Sequence, residues 1–439
     1  MKQVKFDKKA FAIIYFYGLF ALGLVFAQVM VQARSKIQLS RPIRLTEQGL
    51  SVSLPQGPGW QILNRWKYDR NNSYLLNSQY TIKQYTIAQV RWQYRLADRP
   101  APPETLLDQY LARFSLPHQQ ISHISEGTNF VWTPLYPSEG QEEVAIGLTV
   151  LEPGRTLLLE VQVRNQPMLA EQLFLELAKS VQYKSSQFDQ TGRWLTEAVQ
   201  AWDSDPEGPL KHPSFLISDT SGEKIGYSIT RSPDHTQPGS DWKLQTETTC
   251  FIQSGRLTEQ YREQLFVDPF LSNLDWNCVY QGSRFRQPVQ YRMTSLEDGS
   301  LRQEDSNGNE RILWPRLCTI PDSLVPLTVT LMLNQDTDKV LIDVVSCRGE
   351  VVPTLIKKIP LSEAGARASN LHTAVRVDYL HTEENYEELY FDENGVLIGK
   401  LEVIPNHRPR VWETATEEEI LFHFGNLFDR PEQSAKLLH

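Results

Sequence analysis

Hydrophobic and polar positions fall into three regimes along the chain. The first is an unbroken apolar run, AFAIIYFYGLFALGLVFAQVMV over Ala10–Val31, in which Gln28 is strongly polar. It has the roughly 20 residues a helix needs to cross a bilayer, and it is apolar on every face, as lipid requires. Lys2, Lys5, Lys8 and Lys9 precede it, and Arg34, Lys36, Arg41 and Arg44 follow. Two readings stand: an uncleaved signal anchor, or a secretory peptide cut near Val31-Gln32-Ala33. The length of the run favours the anchor, with the basic tail left inside and the rest of the chain outside the cytoplasm.

In the second regime, 37–183, the period switches between strand and helix. Residues 43–54 and 80–96 alternate as strands, and 143–163 predicts a hairpin turning at Pro153-Gly154. Pro102-Pro103 open a helix carrying Leu106, Leu107, Tyr110, Leu111 and Phe114 on one side. A second helix, 167–182, has a stripe of Leu169, Leu173, Phe174, Leu177 and Val181. Residues 184–212 read as a connector, with a helix from Thr191 to Trp202 and a break at Asp203–Pro209.

The third regime, 213–411, is nearly all alternating. In 257–267, Leu257, Tyr261, Leu265 and Val267 share one parity. Further strands are predicted at 224–231, 242–253, 274–282, 289–296, 327–334, 340–346, 374–381, 388–392 and 396–403. Asp298-Gly299, Asn307-Gly308 and Asn394-Gly395 supply turns between them. This spacing predicts antiparallel meanders, as a curved sheet or incomplete barrel. A helix at about 414–428 and a loose tail, together 412–439, close the chain. The expected fold class is therefore α+β: an anchor (1–36), an antiparallel-sheet α/β sandwich module (37–183), a helical linker (184–212) and a mainly antiparallel β module (213–411).

Two resemblances follow from these segments. Leu54-Pro55-x-Gly57 with Trp60 just after, the late hairpin and the closing helix into Ser180-Val181 resemble the PsbP-like family over about 42–183. That implies an antiparallel sheet flanked by helices, used for binding and scaffolding, with no shared catalytic set. Gly226-Tyr227 and Leu389-Tyr390-Phe391-Asp392-x-x-Gly395 are similar to the opening and closing of LolA-like antiparallel half-barrels, over about 214–411. Such a fold implies an apolar concavity able to hold a lipid chain.

Composition sharpens this picture in two places. The chain has 439 residues and a net charge of −9, and the part after residue 36 carries −14. An acidic body argues against nucleic acid as a partner. Four cysteines, Cys250, Cys278, Cys318 and Cys347, lie within one stretch and none is in CxxC spacing. They are consistent with up to two disulfides in three possible connectivities, or with four buried thiols.

No catalytic, cofactor or metal site is expected. There is no G-x-S-x-G and no phosphate-binding glycine loop. Ser221 and Ser283 read as turn or strand residues, and His118, His123, His372 and His381 as scattered. DSNGN at 305–309 reads as a hairpin tip, because Gly308 and Arg316 stand at the wrong positions for a calcium loop. Glu383, Glu384, Glu387, Glu388, Asp392 and Glu393 read as a solvated edge. Trp276, Tyr280 and Phe285 read as core, with a groove lining as the alternative. The expected function is non-catalytic binding or scaffolding at the outer face of the cytoplasmic membrane, with the membrane and other envelope proteins as partners. The alternatives are a lipid or hydrophobic-ligand carrier using the β module, and an extracytoplasmic hydrolase.

Overall fold

The computed structural model describes residues 37–428, apart from 70, 83, 113–120, 125–127, 136–142, 165–168, 185–187, 202–213, 232–243, 256, 269–272, 284–286, 317 and 366–369. The expected apolar span at 10–31, the break at 203–209 and the tail at 429–439 lie outside them. The described chain is mainly β, with 55% strand against 17% helix. This corrects the expected α+β class behind a transmembrane anchor. Among the described residues no helix is long and apolar enough to cross a membrane; the longest, Phe188–Ala201, has 14 residues.

The first half is built on a seven-stranded antiparallel sheet. Its spatial order is Trp60–Asp69, Ser73–Ile82, Tyr85–Leu96, Arg155–Val163, Glu143–Glu152, Phe130–Leu135, Ser122–Ile124. Helices cover both faces. Leu169–Lys179 buries Leu173, Phe174 and Leu177 against Trp92, Trp132 and Leu159. Pro103–Ala112 buries Leu106, Leu107 and Leu111 against Val131, Ile146 and Leu158, which have the opposite parity. Gly147 permits the first packing: a Cβ there would lie 2.5 Å from both Phe174 Cζ and Trp132 Cβ.

The second half is a single fifteen-stranded sheet made of two meanders. One runs outward from Phe215–Asp219 to the edge strand Glu310–Leu313. The chain then crosses to the opposite edge, Thr319–Pro321, and runs back inward to Arg410–Thr414. The meanders join at a seam where Phe215 pairs with Thr414 and Asp219 with Arg410. The sheet curls so that side chains from both ends enter one core. Leu265, Trp276 and Met293 meet Ile342, Val375, Val377 and Leu389, all fully buried.

Helix Val325–Asn334 lies in that core, and here the expected strand 327–334 is corrected. VPLTVTLMLN is rich in β-branched residues and reads as a strand. Pro326 starts a helix instead, and Leu327, Val329, Leu331 and Met332 are buried among strands from both meanders.

A disulfide between Cys278 and Cys347, Cα atoms 6.4 Å apart, fastens the curl. Cys278 lies on Leu274–Gly282 in the first meander, and Cys347 in the turn after Lys339–Val345 in the second. Nine strands separate those two in the sheet order. The bond thus spans the opening where no backbone ladder runs. Of the open alternatives for the four cysteines, one bridge forms; Cys318 is a buried thiol and Cys250 a partly buried one.

The two halves lock together through buried polar contacts. Arg155 and Asp343, both fully buried, form an ion pair, and Arg316 pairs with Glu152. Arg316 Nη2 also donates to Tyr94 Oη at 3.2 Å. Asn72 holds a left-handed backbone, φ 55°. Its Nδ2 donates to Gly349 O at 2.9 Å, and its Oδ1 accepts from Val351 N at 2.9 Å. Gly154, φ +76°, turns the hairpin against Trp314, whose carbonyl would be 2.7 Å from a Cβ at that position.

Candidate functional site

The concave face of the curled sheet has two ends of different character. The apolar end is filled by helix Val325–Asn334. At the other end the inward parity carries charge. On Leu257–Val267 the inward residues after Leu257 are Glu259, Tyr261, Glu263, Leu265 and Val267, so the expected apolar parity is correct but contains two carboxylates. The neighbouring strand Leu274–Gly282 sets Trp276, Cys278 and Tyr280 opposite Leu265, Glu263 and Tyr261. From the second meander come Tyr379, then Glu387, whose register partner is Glu402, then Lys400 and Arg410. Asp322 stands on the short 3-10 turn Asp322–Leu324 ahead of the buried helix, within electrostatic reach of Glu263 and Glu387.

Contacts define how these groups are held. Tyr261 Oη donates to Glu263 Oε2 at 2.5 Å and lies 3.6 Å from Cys278 Sγ. Lys400 Nζ is 3.7 Å from Glu387 and 3.8 Å above the Trp412 ring centroid. Arg410 reaches Glu402 at 3.5 Å and Glu259 at 3.6 Å. Glu387 and Lys400 keep 18% of their side-chain surface exposed, whereas Glu263 keeps 3% as a residue. The recess therefore grades from a wetted rim to a dry base.

The electrostatics follow from that depth. Burial, and next the charge of Glu263, push the Asp322 carboxyl up to about 8. Burial raises Glu263, against hydrogen bonds from Ser323, Tyr261 and Trp276. Burial also raises Glu387, against Lys400. For Lys400, burial acts to lower the ammonium, but Glu387 and Glu402 outweigh it and hold it above its ordinary value. Tyr261 and Tyr379 are pushed well above the usual phenol range, chiefly by burial. At the base, Glu263 Oε1, Trp276 Nε1 and Ser323 Oγ are buried without a well-aligned hydrogen bond.

Other expected features fall elsewhere. Glu387 and Glu388 are not a solvated edge: Glu387 faces the recess, and Glu388 is buried on the opposite face, accepting from Tyr390 Oη at 2.8 Å and Gly365 N at 2.8 Å. Trp276 is core at the base of the recess, and Tyr280 is a half-buried lining residue; Phe285 and His118 lie outside the described residues. Asp305 accepts from Asn307 N and Asn309 N, as a hairpin tip does. Ser221 caps a turn through Asp219. Ser283 borders a separate depression of about 310 Å3 on the outer face, with Phe251, Thr258 and Gln281. His123 lies 3.9 Å from Glu104, and His381 contacts Asn385 at 3.3 Å. Among the described residues no group of three or more His, Cys, Asp or Glu could hold a metal ion.

No known protein family matches the chain, and no curated protein matches it. Two solved structures show a distant likeness. One is a beta-barrel-like protein of domain of unknown function DUF1849 from Brucella abortus, with 10% identity over 46% of this chain and 94% of that one, at a TM-score of 0.35. The other is a DUF1089 family protein from Pseudomonas aeruginosa, with 14% identity over 42% of this chain and 92% of that one, at a TM-score of 0.26. Scores this low carry no argument about the fold. They confirm neither the PsbP-like nor the LolA-like resemblance.

Proposed function

We propose that this chain is an exported, non-catalytic binding protein of the cell envelope, and that its ligand occupies the polar end of the curled sheet. The observation that carries this reading is the base of the recess. Glu263, Trp276 and Ser323 there meet one another in poorly aligned hydrogen bonds, while the rim above them is reached by water. Buried polar groups left with poor hydrogen bonds are retained where a ligand or ordered water completes them. The Cys278–Cys347 bond supports an oxidising compartment. A lipid chain fits less well, since the apolar end is occupied by helix Val325–Asn334 and the open end is lined by carboxylates.

The test is native mass spectrometry of the full chain, produced in an oxidising compartment and incubated with a water-soluble metabolite extract. A saturable one-to-one adduct that disappears in Asp322→Asn supports the reading. Adducts that all survive the substitution, or none at all, refute it.

One observation favours a second reading, hydrolysis. Asp322, pushed up to about 8 beside Glu263, is a protonated acid next to a second carboxyl group, the pairing used in acid/base cleavage of glycosides. Turnover of chromogenic glycosides that Asp322→Asn abolishes would establish it, and its absence across a panel would remove it.

A further inference from the structure

Exposed apolar side chains gather at one corner of the first half. Of the nine large hydrophobic residues that stand out from the surface among the described residues, four lie there: Ile62, Leu63, Ile82 and Tyr85. Single exposed residues of this kind are ordinary, whereas a cluster marks a contact surface. Ile82 and Tyr85 pair across the tip of the hairpin between Ser73–Ile82 and Tyr85–Leu96, and Tyr85 is 72% exposed. Ile62 and Leu63 stand on the adjoining edge strand Trp60–Asp69. Behind the tip the Trp60 and Tyr80 rings pack with centroids 5.5 Å apart. Gly59, φ +92°, permits that contact, since a Cβ there would lie 2.5 Å from the Tyr80 ring. The second half is fastened to the other end of these strands, through Tyr68, Asn72 and Tyr74. From Tyr74 to Ile82 the strand runs about 25 Å, so the tip is the free pole of the molecule.

Charge divides along the same line. Residues 37–97 hold eight basic and two acidic side chains, a net +6, and residues 98–439 carry −20. Arg65 and Lys67 are exposed on the edge strand, and Arg41 and Arg44 on the segment before it. Trp66 Nε1 donates to Ile43 O at 3.4 Å, which holds that segment beside the edge strand. The chain also enters here. Gln38 pairs with Gln56, three residues before Gly59, and Gly59 O accepts from Thr81 N at 3.1 Å. In sequence, five residues separate Ile37 from the apolar run Ala10–Val31.

We propose that this corner is a lipid-contact surface. The hairpin tip and the start of the edge strand rest in the headgroup layer of an anionic bilayer, with Arg41, Arg44, Arg65 and Lys67 facing its phosphates. The contact is peripheral, made by side chains at a sheet corner, and requires no membrane-crossing helix. Lipid fits the shape, because the apolar groups sit on a protruding apex and not in a groove that would receive a peptide. Tyrosine and tryptophan, each with an apolar body and a polar tip, suit the headgroup boundary. Basic side chains beside an anionic leaflet strengthen binding, and each acts within about a Debye length, roughly 10 Å. The same surface repels the −20 carried by the rest of the chain, so the field turns the molecule tip first. The recess in the second half is then held away from the lipid, at the far end of strands about 25 Å long. The inference does not depend on what the recess binds.

The experiment is vesicle flotation of the full-length, disulfide-bonded protein carrying a fluorophore on Gln84→Cys, at the tip, or on Asn307→Cys, at an exposed turn of the second half. Unsubstituted protein taken through the same labelling is the blank for Cys250 and Cys318. The vesicles hold spin-labelled lipid as quencher, in phosphatidylcholine alone or with about 30% phosphatidylglycerol to supply the anionic surface. Both labelled proteins share residues 1–36, so a difference between the labels reports the tip alone. On anionic vesicles most of the emission at position 84 is lost and that at position 307 is unchanged. The loss is severalfold smaller on neutral vesicles, in Ile62→Ser with Leu63→Ser, and in Arg65→Glu with Lys67→Glu. Should the label at position 84 disturb folding, Gln61→Cys takes its place. Protein that does not float, or that floats with position 84 unquenched, overturns the proposal. Equal quenching at positions 84 and 307, or on neutral and anionic vesicles, overturns it as well. A concentration-dependent dimer that shields position 84 without vesicles would assign the corner to a second copy of the chain and overturn the lipid reading.

Discussion

Removing the Cys278–Cys347 bond tests how the curl is held. The bond closes a loop with a sequence separation of 69. Freeing a loop of that length returns entropy to the unfolded chain worth about 4 kcal/mol at 25 °C. Both sulfurs are fully buried, so truncation to alanine adds a cavity cost of about 1 kcal/mol per site. Cys278→Ala and Cys347→Ala should therefore each cost about 5 kcal/mol. The double substitution should cost only about 1 kcal/mol more than either single, because the cross-link can be lost only once. The assay is urea unfolding followed by tryptophan emission, for which Trp276, fully buried two residues from Cys278 on the same strand, is a reporter. Cys250→Ser serves as a control outside the bridge. Single substitutions costing under about 1 kcal/mol, or a double equal to the sum of the singles, would refute the reasoning. The first result would mean that packing alone keeps the sheet curled. The second would mean that the two sulfurs act independently.

Further outcomes can be checked in parallel. Asp343→Ala should destabilise the fold by about 3–5 kcal/mol by stranding Arg155 in the interface, while Arg155→Met with Asp343→Leu should recover most of that loss; urea midpoints of the three variants decide it. Asn72→Ala removes both halves of an amide clamp and a residue type that tolerates a left-handed backbone. It should cost about 2–3 kcal/mol and raise amide exchange at 349–351. Asp322 binds its proton more tightly in the folded state than in the unfolded chain, so its contribution is intact below about pH 4 and erodes as pH rises towards 8. Asp322→Asn should flatten that decline by at most about 1.4 kcal/mol per pH unit, read from melting temperature against pH; an unchanged slope would show that the acid is not buried with its proton. Gly154→Ala, at positive φ and against Trp314 O, should cost about 1–3 kcal/mol by thermal melting.

Periodicity in the sequence carried most of the strands, because each buries one face and so alternates. It failed where burial is two-sided or where a single residue breaks the code. Val351–Ile359 was hidden by Pro353, which sits just before the ladder to Thr373–Tyr379 begins at Thr354. The segment 327–334 reads as a strand because a helix buried all round shows no polar face, and its β-branched residues imitate sheet composition. The site was legible only in fragments. Tyr261, Leu265 and Val267 give the inward parity, but a single Glu263 on that parity forms no motif. Its partners Asp322, Glu387 and Lys400 come from distant elements, and only the curl brings them together. The acidic run near Glu387 looked solvated because its charges are contiguous in sequence, whereas in the sheet adjacent residues face opposite ways.

The seam between the two meanders also sets an order of events in time. Phe215–Asp219 cannot find its neighbour until Arg410–Thr414 exists, close to the end of the chain. As the polypeptide emerges from its amino terminus, the first meander must wait with an unsatisfied strand at one flank, and the wait spans nearly the whole second meander. Pairings between such remote segments are slow and leave the intermediate exposed to wrong partners. The recess shares this schedule, since Glu263 is made early and Asp322, Glu387 and Lys400 late. A chain truncated before residue 410 would therefore lack more than its last strand. It would present an open edge in place of the seam, and so a template for aggregation.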